Sequence, residues 1–231
     1  TGGVIGNLMG TLLIAGEWDE AEALYAEYQA ELESAGPYDV SPPQTVINLI
    51  RDARGGPLEP VVDYTPEGDP VSELWMAIAH TLVPGTDAVE TSRLLTAATE
   101  GVNAAIQIDD DFTIGWPIAL ERALAVGVIE DAERLLALVG DAPPGLVNPL
   151  AHAHHLRLRA LVNRAKGAEA SEVAADLEAA VGEFRAFGVP FYLAKALLEL
   201  GAPESLEEAR DIFSRLGATP WLAKAQTVSV S

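Results

Sequence analysis

The 231-residue sequence has no cysteine, which excludes disulfides and thiolate metal sites and removes any cysteine-based sign of an oxidising compartment. Lysine is almost as scarce, occurring only as Lys166, Lys195 and Lys224. Lys and Arg together number 14 against 35 acids, a formal net charge of −21. A surface of that sign repels a phosphate backbone and anionic lipid, so direct binding to nucleic acid or a membrane surface is not expected. No apolar run reaches the roughly 20 residues that a spanning helix needs. The opening Thr1-Gly2-Gly3-Val4 carries neither an initiator Met nor a basic region ahead of an apolar stretch. It therefore reads as a piece of a longer chain with no export signal, and a cytoplasmic location is expected.

Strand-like alternation is also nearly missing, and helical periodicity takes its place. Residues 18–33 set Ala21, Leu24, Tyr28 and Leu32 on one face. Val173, Leu177, Ala180, Phe184 and Phe187 repeat the pattern, and so do Leu206, Ala209, Ile212, Phe213 and Leu216. Each is an amphipathic helix that cannot bury its stripe alone. With 49% hydrophobic residues the chain falls among folded globular proteins rather than acidic disordered tails.

Punctuation is regular. Ser41-Pro42, Asp69-Pro70, Asn148-Pro149 and Thr219-Pro220 each offer a side-chain oxygen at a helix N-cap and a proline in the first turn, where its missing N–H is harmless. Glycines at 16, 127, 140, 188, 201 and 217 follow periodic segments, as left-handed C-caps do. Helices are predicted near 4–15, 18–34, 42–54, 70–82, 87–107, 117–126, 129–139, 149–166, 171–187, 190–200, 204–216 and 220–227.

These helices form pairs. Gly16-Glu17-Trp18-Asp19-Glu20-Ala21 and Gly127-Val128-Ile129-Glu130-Asp131-Ala132 share one phrase, a turn glycine followed five residues later by a small alanine. In tetratricopeptide-type hairpins such an alanine sits where two helices cross most closely. Ala21 to Ala132 spans 111 residues and Ala132 to Ala209 spans 77, three and two units of about 37–38, near the repeat lengths of helical hairpin arrays. Ala98 and Ala175 fall close to two intermediate slots, whereas the slot near residue 58 is empty. The predicted fold is all-α, an α-α superhelix or TPR-like solenoid of antiparallel hairpins. It is expected to form one domain over 1–231, with an irregular linker at about 55–69. A non-repetitive helical bundle is the alternative.

No catalytic, cofactor or metal site is predicted. His152 and His155 share a helix face, but a zinc site needs three or four ligands and no H-E-x-x-H motif accompanies them. Asp109-Asp110-Asp111 lacks the alternating oxygens, central glycine and terminal Glu of a calcium loop, and reads as an acidic lead-in to a helix. Gly2-Gly3-Val4-Ile5-Gly6 has no preceding strand and no Lys-Ser/Thr pair, so it is not a phosphate loop. Trp75, Trp116, Trp221, Tyr25 and Tyr28 read as core at helix junctions, with a ligand platform as the alternative.

One stretch departs from the negative background. Residues 151–166 hold His152, His154, His155, Arg157, Arg159, Arg164 and Lys166 with no acid. Two readings stand. His152, His155, Arg157, Arg159 and Arg164 form a contact patch for an acidic partner, or these cations balance Glu and Asp on adjacent helices. On the first reading, reversing Arg157 and Arg159 to Glu weakens partner binding.

Trp116-Pro117-Ile118-Ala119-Leu120, Ala132-Glu133-Arg134-Leu135-Leu136-Ala137-Leu138-Val139 and Pro143-Pro144-Gly145-Leu146-Val147 resemble the C-terminal region of actinobacterial multidomain signalling proteins. Leu156-Arg157-Leu158-Arg159-Ala160-Leu161 and Ala175-Asp176-Leu177-Glu178-Ala179-Ala180 do so too. The most specific phrase is Leu206-Glu207-Glu208-Ala209-Arg210-Asp211-Ile212-Phe213-Ser214-Arg215-Leu216-Gly217-Ala218-Thr219-Pro220-Trp221-Leu222. Those proteins carry an adenylate/guanylate cyclase domain, a P-loop ATPase domain and a tetratricopeptide-like tail, and related tails occur in large ATPase-type transcriptional activators. The resemblance covers about residues 112–225. The short turn Gly201-Ala202-Pro203 departs from it, and the cyclase and ATPase motifs would lie upstream. It implies a non-catalytic regulatory module whose partner is another protein or upstream domains of the same chain. The alternative it leaves is an inducer-sensing region of a transcriptional regulator. The ending Thr227-Val228-Ser229-Val230-Ser231 favours the cyclase type.

Overall fold

A computed structural model describes residues 2–62, 68–106, 108–143 and 145–228. Among them it has twelve α-helices and no strand. They are α1 (Gly2–Ala15), α2 (Trp18–Ala35), α3 (Pro37–Arg54), α4 (Pro70–Thr81), α5 (Ala88–Ile106) and α6 (Asp110–Ala125). There follow α7 (Ile129–Gly140), α8 (Pro149–Ala165), α9 (Ala170–Phe187), α10 (Pro190–Leu200), α11 (Pro203–Leu216) and α12 (Thr219–Thr227). The predicted all-α architecture of packed helical hairpins is the one observed, with neighbours in sequence packed on each other from α1 to α3, from α4 to α8 and from α10 to α12.

Repetition is most visible at the turns. The backbone N–H of Glu17 donates to Leu12 O at 3.0 Å, Val128 to Ala123 at 2.9 Å, Ala168 to Asn163 at 2.9 Å, Val189 to Phe184 at 3.2 Å and Ala218 to Phe213 at 2.9 Å. Each closes the same six-residue loop past a helix end, with Gly16, Gly127, Gly167, Gly188 or Gly217 left-handed just before it. Gly140 is the exception among the predicted caps. It ends α7 with ordinary helical φ, and its lack of a side chain serves close packing instead: a Cβ there would lie 2.9 Å from the His155 ring. Ala21, Ala132 and Ala209 are all 0% exposed, as the close-crossing role requires. Ala98 is also buried, whereas Ala175 is on the surface.

Two helices begin earlier than the sequence suggested. α3 starts at Pro37, so Ser41 does not cap it and Pro42 and Pro43 lie inside. α6 starts at Asp110 with Pro117 in its interior. Pro117 removes one helical N–H, but Asp109 supplies an earlier cap by accepting from Phe112 N at 2.8 Å. Asp110 and Asp111 then occupy the first turn, where the helix dipole favours anions. The early start also buries Phe112 and Trp116 one turn apart, stacked at 5.9 Å. Asp69 and Asn148 cap α4 and α8 as predicted, accepting from Ser72 N at 3.0 Å and Ala151 N at 2.8 Å.

The chain divides into two compact units, one of residues 1–65 with 184–231 and one of residues 66–183. In the first, the two ends of the chain share a core. Trp18 meets Phe191 edge-on at 5.1 Å, and Phe213 stacks on Trp221 at 5.8 Å. The buried Lys195 ammonium stands 4.9 Å from the Trp221 ring centroid, a cation–π contact. Arg54 donates to Leu216 O at 3.1 Å and pairs with Asp19 at 2.6 Å. Residues 56–62 of the linker are strapped to α3. Asn48 exchanges two hydrogen bonds with the Glu59 backbone, and Gln44 accepts from Val62 N at 3.1 Å. Residues 63–67 of that linker, like Gln107, Pro144 and the closing 229–231, lie outside the described residues.

The 66–183 unit holds α4 to α8 and most of α9. Alternate helices also touch there: α4 with α6, α5 with α7, and α6 with α8. Trp116 donates to Leu135 O at 2.6 Å, and Trp75 donates to Asp111 Oδ1 at 2.8 Å. Burial raises the Asp111 carboxyl above its ordinary range, and the Trp75 N–H opposes that shift. Trp75, Trp116 and Tyr25 are core residues. Phe187, predicted on the buried stripe of α9, is 45% exposed at the helix end.

Candidate interaction site

The cationic stretch lies on α8, which Asn148 and Pro149 start as the sequence indicated. Its residues are turned toward acids on neighbouring helices. Arg157 is 1% exposed, and its Nη1 donates to Glu121 of α6 at 2.6 Å. Arg159 makes a two-point contact with Asp176 of α9, Nε to Oδ2 at 2.8 Å and Nη2 to Oδ1 at 2.6 Å. That pairing holds the guanidinium more firmly protonated than usual. His152 Nδ1 lies 3.0 Å from both carboxylate oxygens of Glu183. Lys166 pairs with Glu133 of α7. His155 is half-buried against Gly140, and its Nδ1 has no hydrogen-bond partner among the described residues. Burial is the main reason its pKa falls below the ordinary 6.5, and the Arg159 and His152 charges add to it, opposed by Asp176 and Asp141.

Of the five residues singled out from the sequence, His152, Arg159 and Arg164 reach the surface, His155 does so in part and Arg157 does not. A guanidinium sealed from water is not available to a partner. Among the described residues, no three His, Asp or Glu side chains stand together in a way that could hold a metal ion.

A second place has the opposite character. An open groove of about 450 Å³ lies between the C-terminal ends of α5 and α7 and the turn after α7. Ala104 and Ile108 come from the α5 side, Ala137 and Leu138 from α7, and Pro143 and Leu146 from the turn. Leu146 is 41% exposed. The polar side chains on the lining are Asn103 and Asp141, and neither makes a hydrogen bond or ion pair with the described residues.

The groove continues an outward side of α5 that is apolar from Leu94 onward, with the exposed Glu90–Arg93 pair at its start. Leu94, Ala97, Gly101, Ala104 and Ala105 lie on that side, and a Cβ at Gly101 would meet nothing within 4 Å. Sequence reasoning passed over this face because it follows inward stripes. The available signal was a two-turn helical side without charge in a chain with 35 acids. No helix among the described residues is long and apolar enough to cross a membrane. No family model matches the chain, and no curated protein or solved structure is significantly similar to it.

Proposed function

We propose that the chain is a non-catalytic helical-repeat module that binds a protein partner and regulates a larger signalling polypeptide, in the cytoplasm. The observation that carries this reading is the groove at the ends of α5 and α7. Its apolar wall suits helix-in-groove recognition, and Asp141 and Asn103 on its rim make no hydrogen bond or ion pair with the described residues. The hairpin stack supports it, because repeated hairpins present extended surfaces built from rigid elements. The resemblance of residues 112–225 to cyclase tails supports an upstream adenylate/guanylate cyclase as the regulated partner. The runner-up is the inducer-sensing region of an ATPase-type transcriptional regulator.

The test is cyclic-nucleotide synthesis by the parent polypeptide with and without these 231 residues. A change in rate at equal expression supports the regulatory tail. Synthesis from neither form moves the reading to the transcriptional regulator. Equal synthesis from both removes regulation and leaves a scaffold.

A further inference from the structure

We propose that the groove bounded by α5, α7, residues 141–143 and Leu146 binds a basic, leucine-bearing amphipathic helix of a protein partner, with a partner Arg or Lys at Asp141 and Asn103. This deepens the interaction-module reading and rests on it.

The charge of the occupant follows from what converges there. Asn103 and Ala104 sit in the last turns of α5, and Ala137, Leu138 and Asp141 stand at the C-terminal end of α7. The unmatched carbonyls of a helix C-terminus carry partial negative charge. A basic residue in the last turn offsets it in α3, α4, α6, α8, α9, α11 and α12, whereas α5 and α7, like α1, α2 and α10, have none. Asp141, the residue that follows α7, adds a full negative charge at the same end. Asp141 and Asn103 therefore line one groove at two helix ends, and neither makes an ion pair or hydrogen bond with the described residues, although the Asp141 charge is felt by the His155 ring behind Gly140. Elsewhere in the unit the acids Glu121, Glu133, Asp176 and Glu183 already have cationic or imidazole partners. A guanidinium could take the Asp141 carboxylate and the Asn103 oxygen together.

The shape of the occupant follows from the walls. Ala104, Ile108, Leu138 and Leu146 offer room for one or two branched side chains, and no aromatic face lies among them. The apolar surface runs on along α5 through Gly101, Ala97 and Leu94, residues at helical spacing with small side chains that admit another backbone closely. A linear track of that kind suits a helix rather than a compact small molecule. A second copy of this chain is disfavoured, since each copy carries a net charge of −21.

The probe is a fluorescein-labelled synthetic helix of fourteen residues, with Leu at a and d positions and Arg flanking them. Its control replaces each Arg by Glu. Anisotropy titration of the whole chain should give saturable binding of the Arg peptide in the micromolar range and none of the Glu peptide. Asp141→Lys should weaken binding at least tenfold. That change places a cation at a helix C-terminus, so loss of folding is not expected to confuse the result. Ala104→Trp, which fills the groove from an exposed position, should weaken it as much. Glu178→Lys, an exposed acid on α9 outside the groove, should change affinity less than twofold. Equal weakening by Glu178→Lys and Asp141→Lys would reduce the effect to bulk charge and overturn the proposal. Binding that survives Ala104→Trp, or no saturable binding, would overturn it too. The deletion assay on the parent polypeptide reads the module role separately: a deletion effect without peptide binding removes the groove alone.

Discussion

Along α8 and its C-cap, His152, Arg157, Arg159 and Lys166 each meet a carboxylate on a neighbouring helix, whereas in the groove at the ends of α5 and α7 Asp141 and Asn103 make no hydrogen bond or ion pair with the described residues. Both lie in the 66–183 unit, and the one that stands out in the sequence is the one whose charges are matched internally. A local excess of one sign shows that charge is present, and only the neighbours decide whether it is spent within the fold. Unmatched polarity beside an apolar wall is the better indicator of a binding surface. It arises where helix ends meet rather than where charges cluster in sequence.

The sharpest test of this contrast is Arg157→Ala. Removing Arg157 takes one partner from the part-exposed Glu121 carboxylate and opens a void where the buried stem packed, and the expected loss is about 2–4 kcal/mol. Urea unfolding measures it, with Arg157→Met expected to lose less because the stem is kept. A loss below about 1 kcal/mol would mean that Arg157 does not fasten α8 to α6. Arg157→Glu is consequently a poor probe of partner binding, since it disturbs the fold first.

Gly140→Ala should come next. Its Cβ would lie 2.9 Å from Cε1 at the outer end of the His155 side chain, so the ring must turn from its rotamer, at a cost of about 0.5–1.5 kcal/mol. The double variant Gly140→Ala/His155→Ala should recover part of the loss, and simple additivity would show that the two residues do not share a contact.

The same contact predicts a pH dependence. The folded-state pKa of His155 is depressed below 6.5, so in the window between the two values the unfolded chain binds more protons. Its stabilising contribution is present above about 6.5 and is lost as pH falls through the folded value. Unfolding midpoints from pH 7.5 to 5 should therefore fall more steeply for the native chain than for His155→Leu. Parallel slopes would assign the pH effect elsewhere.

Smallest are the surface changes. Arg159→Ala removes a half-exposed pair and should cost at most about 1 kcal/mol. Asp141→Lys should leave stability unchanged or slightly raised while abolishing peptide binding. If Arg159→Ala weakened the Arg peptide as much as Asp141→Lys, the distinction between the two places would fail.

Much of the helical order was legible from residues. Asp69-Pro70 and Asn148-Pro149 mark true starts because a side-chain oxygen and a pre-set φ act within one turn. The stripe Leu206, Ala209, Ile212, Phe213 and Leu216 is buried throughout, as 3.6-residue spacing demands. Pro42 and Pro117 misled because a first-turn proline and an interior proline look alike in sequence. The choice was made by the Asp109 cap and the Phe112–Trp116 stack for α6. For the candidate site, the sequence showed the α8 cations without their partners, since Glu121 lies 36 residues from Arg157 and Glu183 31 residues from His152. The groove was not legible, because it depends on which helix ends coincide.

The sequence by itself determined the class of the molecule: helices, their hairpin pairing, and the glycine turns and alanine crossings that repeat along it. Those features rest on interactions within a few residues, or on one small side chain whose size alone sets how closely helices approach. The tertiary structure decided which charges are matched, that Gly140 makes room for His155, and that Asp141 and Asn103 meet an apolar wall where the ends of α5 and α7 come together. Such outcomes depend on contacts between residues far apart in the chain, where side-chain reach and helix direction act together and local periodicity carries no information.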